Sequence, residues 1–266
     1  MRVLVVGRGF MGRQLSKYLP NSILCSHEDA IYAIKIEKPT HVFNCTIQPE
    51  MLVTKLSEKG KSFDDLLLAA IEQSETKYVY LSTRMVYARE RQFGAKESDL
   101  CAPISLYGEN KLLAECAIKS RLPSSNYLIM RLPNVFGHEL NEKRNSFFKV
   151  LLTNLIKKRK IFFDFDPALS KDFLSVRDFT KISHQMLLRD ISGIYNVSYG
   201  APVYCNWIIE TLCQEFSELD VVIEPTKHAE PFYLNSENLR AAIDFQDIIG
   251  FREEFFDLLS KYKISA

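Results

Sequence analysis

The sequence predicts an α/β fold, a doubly wound parallel sheet with a smaller C-terminal lobe. Short β-branched runs alternate with helix-length segments through the first half of the chain, as βαβ units require. The runs at 3–6, 78–81 and 127–130 are unbroken apolar, as strands covered on both faces are. A glycine-rich turn directly follows the first run.

Residues 2–6 read as a strand and 11–19 as a helix that Pro20 stops. A short strand at 23–25 precedes a helix at 29–37, ended by Pro39, and a strand at 41–44. Residues 64–73 read as helix, 78–82 as strand, 104–120 as helix and 127–132 as strand. After Gly137 the character changes: polar residues at 141–145 lead into a helix at 147–158 and an aromatic run at 161–165. Strands at 173–176 and 194–197 flank a helix at 179–188. This order assigns 1–137 to the sheet domain, with 172–198 returning to it, and assigns 138–171 and 199–266 to the second lobe.

Of the 266 residues, 47% are hydrophobic and 25% charged, ordinary for a soluble chain with a real core. Disorder, collagen-like repeats and small disulfide scaffolds are excluded. With 34 basic against 33 acidic residues, the net charge of +1 provides no overall field to capture nucleic acid or an acidic membrane. Six scattered cysteines without a C-x-x-C pair read as free thiols in a reducing compartment, with no metal site expected. The first apolar run ends at Gly7, short of the about 7–15 residues of a secretion signal, and no stretch reaches the roughly 20 of a membrane span. The expected location is the cytoplasm.

Gly7-Arg8-Gly9-Phe10-Met11-Gly12 closes a strand and opens a helix. Glycines at this spacing allow the tight turn, a close approach of backbone to pyrophosphate, and packing of helix on sheet, and the helix start favours the anion. A dinucleotide is the expected cofactor of this Rossmann-type unit. No acidic residue stands clearly about 20 positions on, at the end of the second strand, to bind an adenosine ribose. Glu28 lies just beyond and reads equally as a helix cap, while Arg8 and Ser26 could receive a 2′-phosphate. The expectation is NADP(H), with NAD(H) open.

Tyr107 and Lys111 stand four residues apart on one helix face. A phenol titrates near 10, and a neighbouring ammonium favours its ionised form, so the pair supplies an acid/base with a tuning charge. By itself the spacing is common on exposed helix faces. Upstream, Ser82-Thr83 ends a strand where parallel sheets bind ligands, 24 positions before Tyr107.

With these elements in order, the chain resembles the extended short-chain dehydrogenase/reductases, the NAD-dependent epimerase/dehydratase group that acts on nucleotide sugars. The resemblance runs almost end to end. It takes in the glycine turn, Ser82-Thr83 with Val86-Tyr87, and Tyr107-Gly108 with Lys111-Leu112 and Glu115. It continues through Arg131-Leu132-Pro133-Asn134-Val135-Phe136-Gly137, Asp172-Phe173-Leu174-Ser175-Val176 with Asp178, and Gly193-Ile194-Tyr195-Asn196-Val197, to 234–239. It implies Tyr107 as proton donor or acceptor, and Lys111 as the group that holds the nicotinamide ribose and lowers the tyrosine pKa. Thr83 would hydrogen-bond the reacting oxygen, ahead of its neighbour Ser82. Cys45, Thr46 and Pro133 would border the cofactor beside the glycine turn. Arg84, Asn134, Arg144, Asn145 and Lys171 would face the sugar nucleotide and its phosphates; for Asn134 a satisfied turn residue is the plain alternative.

Departures from the family narrow the reaction. Asn44-Cys45-Thr46 stands where small alanines are usual, and the asparagine of the next helix is replaced near Lys59. Dehydratases of the family carry Asp-Glu after the catalytic threonine, because eliminating water needs an added acid and base; here the residues are Arg84-Met85. The expectation is reduction of a 4-keto group on a nucleotide-linked deoxysugar, as in the compact dTDP-4-dehydrorhamnose reductase branch. A 4-epimerase and a non-catalytic nucleotide-binding regulatory subunit are the alternatives. A homodimer is kept open as the assembly. Glu97 and Asp99 read as ordinary loop charges.

Overall fold

The strands at the centre of the main sheet form where the chain has no wet face. In the computed structural model, which describes residues 1–55, 62–139, 145–226 and 229–264, three strands among the first hundred residues are buried at every position. These are Val3–Val6 (β1), His41–Asn44 (β3) and Lys77–Thr83 (β4). Between them run Phe10–Tyr18 (α1), Ile23–Cys25 (β2), Ala30–Glu37 (α2) and Phe63–Ile71 (α3). Phe93–Ala95 (β5), Leu106–Arg121 (α4), Tyr127–Leu132 (β6) and Asn134–Phe136 (β7) follow. Phe147–Lys158 (α5), Lys160–Phe163 (β8), Ser170–Lys171 (β9), Phe173–Ser175 (β10), Val176–Leu188 (α6) and Gly193–Asn196 (β11) come next. Val203–Tyr204 (β12), Cys205–Glu215 (α7), Asp220–Ile223 (β13), Tyr233–Leu234 (β14), Glu237–Ala242 (α8) and Phe251–Ile264 (α9) complete the described chain.

Six strands form one sheet in the order β2-β1-β3-β4-β6-β11, and every pairing in it is parallel. The direction of winding reverses between β1 and β3, which opens a crevice at their C-terminal ends. Register makes those ends level: Val6 stands opposite both Cys25 and Asn44. Gly7, Ser26 and Cys45 therefore leave the sheet side by side.

Alternation along each strand divides the core. Val3, Val5, Phe43, Val79 and Met130 face one side, with α1, α6 and an aromatic group of Phe136, Phe148, Phe173, Phe251 and Phe255. Leu4, Val6, Val42, Tyr78, Tyr80 and Ile129 face the other, against α2, α3 and α4. Ser62 and Asp65 form a reciprocal capping box at the start of α3, and Ser105 caps α4.

The helix expected from 179 begins three residues earlier, because the Ser175 hydroxyl accepts from the Asp178 N–H at 2.9 Å and starts it. The strands β5, β7, β9, β12 and β14 are two or three residues long and owe their pairing to distant segments, so no local periodicity announces them. Among the described residues no helix is long and apolar enough to cross a membrane.

Candidate functional site

Gly7 has φ +111°, and a Cβ there would stand 3.1 Å from the Cys45 carbonyl atoms and 3.2 Å from Thr46 Cγ2. At Gly12 a Cβ would meet the Gly7 carbonyl oxygen at 1.9 Å. These glycines let the turn close on β3 and the helix close on the turn. Gly9 differs, since nothing lies within 4 Å of where its Cβ would be. It is the N-cap of α1, which has no side-chain cap and no acidic residue in its first turn. A helix start with open space before it and no competing carboxylate fits a pyrophosphate. The Phe10 side chain is buried in the core, so the residue borders the turn through its backbone.

Past β2, the Ser26 hydroxyl donates to Asp29 Oδ2 at 2.6 Å, and the Arg8 guanidinium lies 3.9 Å from the same carboxylate. Asp29 is 20 residues beyond Gly9. Looking for an acid no further than Glu28 misses it, while counting about 20 positions from the turn finds it. A 2′-phosphate brought to Ser26 would meet this carboxylate and a hydroxyl already committed to it. The NADP preference expected from Arg8 and Ser26 is therefore not supported.

Met11, Cys45, Thr46, Thr83, Tyr107, Lys111 and Pro133 line one cleft of about 250 Å³. Gly108 brings the helix of Tyr107 into place: a Cβ there would lie 2.3 Å from the Met85 carbonyl oxygen, so no side chain separates α4 from the turn at Arg84–Val86. Thr83 caps that turn, its Oγ1 accepting from the Met85 N–H at 3.3 Å. The Ser82 hydroxyl donates to Glu115 at 2.5 Å, and Glu115 holds the buried Arg131 at 2.7 Å, so Ser82 is committed to a structural pair. Lys111 Nζ donates to the Leu81 carbonyl at 2.7 Å and lies 5.9 Å from the Tyr107 ring centroid. Burial pushes its pKa down, while the Asp64 and Glu115 carboxylates push it up. Asn110 donates to the carbonyls of Met51 and Thr54 at 2.9 and 2.8 Å and ties the Pro49–Leu52 turn to α4; a polar residue at a buried helix position was its only signal.

The other described candidates for the substrate site are not among the residues that line this cleft. Arg84 and Lys171 gather around Phe232, at 3.4 and 5.7 Å from its ring centroid, and Lys171 also lies 4.2 Å from that of Phe165. Burial lowers both pKa values, that of Arg84 to about 10. Beside them burial raises the Asp172 carboxyl to about 7; its Oδ2 accepts from the Leu234 N–H at 2.9 Å. Asn134 is half-buried in β7, its N–H donating to the Asp172 carbonyl at 3.2 Å. Asn145 is exposed just before Ser146, the cap of α5. Arg144 and Lys59 lie outside the described residues. Glu97 is more than a loop charge: it accepts from the Asn196 N–H and the Asn238 amide, each at 2.8 Å, and fastens its loop to β11 and α8.

The NAD dependent epimerase/dehydratase family matches residues 21–198, so its match begins after the glycine turn. Three solved structures share the fold at low identity. A dTDP-4-dehydrorhamnose reductase from Clostridium acetobutylicum is 17% identical, with a TM-score of 0.78 over 99% of this chain and 100% of that one. A UDP-glucose 4-epimerase from Thermus thermophilus, in complex with NAD, is 18% identical, with a TM-score of 0.77 over 100% of both. A UDP-N-acetylglucosamine 4-epimerase from Methanobrevibacter ruminantium, in complex with UDP-N-acetylmuramic acid, is 21% identical, with a TM-score of 0.81 over 99% of this chain and 98% of that one.

Proposed function

The chain belongs to the NAD dependent epimerase/dehydratase family, and from that premise we propose that it reduces a 4-keto group on a nucleotide-linked deoxysugar. The observation that carries this reading is the convergence of Thr83, Tyr107 and Lys111 on one cleft beside the glycine turn. When bound, a reduced nicotinamide supplies hydride chemistry. Tyr107 gives its phenolic proton to the carbonyl oxygen, and the Thr83 hydroxyl holds that oxygen in line. Lys111 keeps positive charge beside the phenol and would hold the ribose of a bound cofactor. Gly7, Gly9 and Gly12 admit the pyrophosphate, with Met11, Cys45, Thr46 and Pro133 as walls. Arg84-Met85 leaves no carboxylate to assist elimination, which favours reduction over dehydration.

Substrate is held by the lobe of 138–171 and 199–266, with Arg84 and Lys171 as the cations for its diphosphate. The Ser26–Asp29 contact makes NAD(H) the better fit to the ribose than NADP(H). That contact also favours a second reading, a 4-epimerase, which retains its NAD through both half-reactions. The test incubates the purified protein with 4-keto and 4-hydroxy sugar nucleotides carrying dTDP, UDP, GDP or CDP. A reductase consumes one reduced nicotinamide per 4-keto sugar and releases the oxidised form. Interconversion of two 4-hydroxy sugars without net change in the nicotinamide would instead establish the epimerase, and binding without turnover a regulatory subunit.

A further inference from the structure

Lys111 is a buried ammonium that donates to a neutral acceptor, the Leu81 carbonyl, and has no direct ion pair among the described residues. Across β4 lies its mirror image. Asp64, in the first turn of α3, is a carboxylate 8% exposed whose donors are neutral: Asn44 Nδ2 at 2.6 Å and the Tyr80 hydroxyl at 3.3 Å. Tyr80 stands between the two charges, its hydroxyl turned to Asp64 and its ring centroid 4.5 Å from Lys111 Nζ. An isolated charge in such surroundings is driven to its neutral form, whereas two opposite charges attract through a low-dielectric interior over longer distances than in water.

Of the other groups near Lys111, the Glu115 carboxylate also favours the ammonium, but it is already committed to other partners. Glu115, one turn along α4, is bound to Arg131 by two hydrogen bonds at 3.1 and 2.7 Å and accepts from Ser82. Cys45, beyond β3, is a half-buried thiol whose pKa desolvation pushes up to about 12. Tyr80 and Tyr107 present rings. Asn44 extends the arrangement to the mouth of the crevice: its Oδ1 accepts from the Thr46 N–H at 3.0 Å and from the Thr46 hydroxyl at 2.7 Å, while its Nδ2 also donates to the Tyr78 hydroxyl at 2.8 Å.

We propose that Asp64 is the buried counter-charge of Lys111, a positioning residue that keeps the ammonium charged in the cleft and, through Asn44, fixes the Thr46 turn. This deepens the proposed function, since a charged Lys111 is what that reading requires, but the test does not depend on knowing the substrate. Burial pulls Lys111 toward the neutral amine and Asp64 toward the neutral acid, and the attraction between the two charges opposes both pulls.

The experiment reads the charge of Lys111 directly. Protein labelled with ¹³C at lysine Cε is titrated by NMR, the Lys111 signal being assigned by its loss in Lys111→Met. In the unmutated chain it should report an ammonium at pH 7. In Asp64→Asn its midpoint should fall by at least about one pH unit, tenfold in the ionisation constant, and Asp64→Glu should restore it. An unmoved midpoint in folded Asp64→Asn would overturn the proposal. Should Asp64→Asn fail to fold, aspartate labelled at Cγ decides the matter in the unmutated protein. A carboxylate at residue 64 at pH 7, together with charged Lys111, supports the pair, and a neutral group at either position sinks it. A displaced midpoint in a protein that turns over no sugar nucleotide would count against the reductase reading and leave the counter-charge standing.

Discussion

Ser26 and Asp29 are joined across the first turn beyond β2, hydroxyl to carboxylate at 2.6 Å, with the Arg8 guanidinium 3.9 Å from the same oxygen. This puts a negative charge where a 2′-phosphate would enter. NADH should therefore bind more tightly than NADPH in calorimetric titration. Asp29→Ala should weaken NADH by the about 1.5–3 kcal/mol of a charge-assisted hydrogen bond while sparing or improving NADPH. Tighter binding of NADPH by the unmutated protein would reverse the assignment.

Tyr107→Phe removes a hydroxyl and little else, so folding and nucleotide binding should persist. Turnover on an identified substrate should drop about 10²–10⁴-fold, the usual contribution of a general acid. Lys111→Met should lose cofactor affinity as well. Near-normal rates in Tyr107→Phe would mean that the proton comes from another group.

Gly9 and Gly12 should respond oppositely to alanine. In Gly12→Ala the new methyl meets the Gly7 carbonyl oxygen at 1.9 Å, and overpacking of this kind costs about 1–3 kcal/mol in urea unfolding. Gly9→Ala places its methyl in open space, so stability should hold while dinucleotide affinity falls. Equal stability losses at the two positions would contradict the division of labour.

His41 should make the fold acid-sensitive. Burial lowers its pKa from 6.5 to about 4, Lys77 adds to the shift, and its Nε2 has no hydrogen-bond partner among the described residues. The unfolded chain takes up a proton near pH 6.5 that the folded chain refuses until about 4, so stability present above 6.5 is lost as pH falls through that window, to a total of about 2–3 kcal/mol. Asp172 works in the opposite direction: its folded pKa of about 7 lies above the ordinary 3.8, so its contribution is complete below 3.8 and lost as pH rises to 7. The check is the difference between the unmutated protein and His41→Gln in chemical unfolding at pH 7 and 4.5. A difference that does not change with pH would mean that His41 titrates normally.

Lys171→Ala should weaken binding of a sugar nucleotide far more than that of NADH, because its ammonium lies by Phe165 and Phe232, outside the cleft that holds Tyr107. Isothermal titration with each ligand separates the two. Equal losses for both would remove Lys171 from the diphosphate site.

Much of this architecture is legible locally. The strand at His41–Asn44 and the helix at Phe147–Lys158 fall where periodicity places them, because an apolar run or stripe must find cover whatever lies on the far side. Tyr107 and Lys111 were visible for the same reason, since four residues of helix fix their separation. Asp64 carried no such mark. It sits in the first turn of an acidic-starting helix, where a carboxylate usually means a solvated cap, and only the packing of α3 against β3 and β4 buries it.

The sheet, the glycine turn and the tyrosine–lysine spacing are therefore readable in the chain order alone, each the product of backbone geometry acting over a few residues. Tertiary structure decided the electrostatics: that Ser26 serves Asp29, that Arg84 and Lys171 meet around Phe232, and that Asp64 faces Lys111 through Tyr80. A charge acquires its meaning from what surrounds it in space. Those surroundings come from segments far apart in the chain, which no local pattern records.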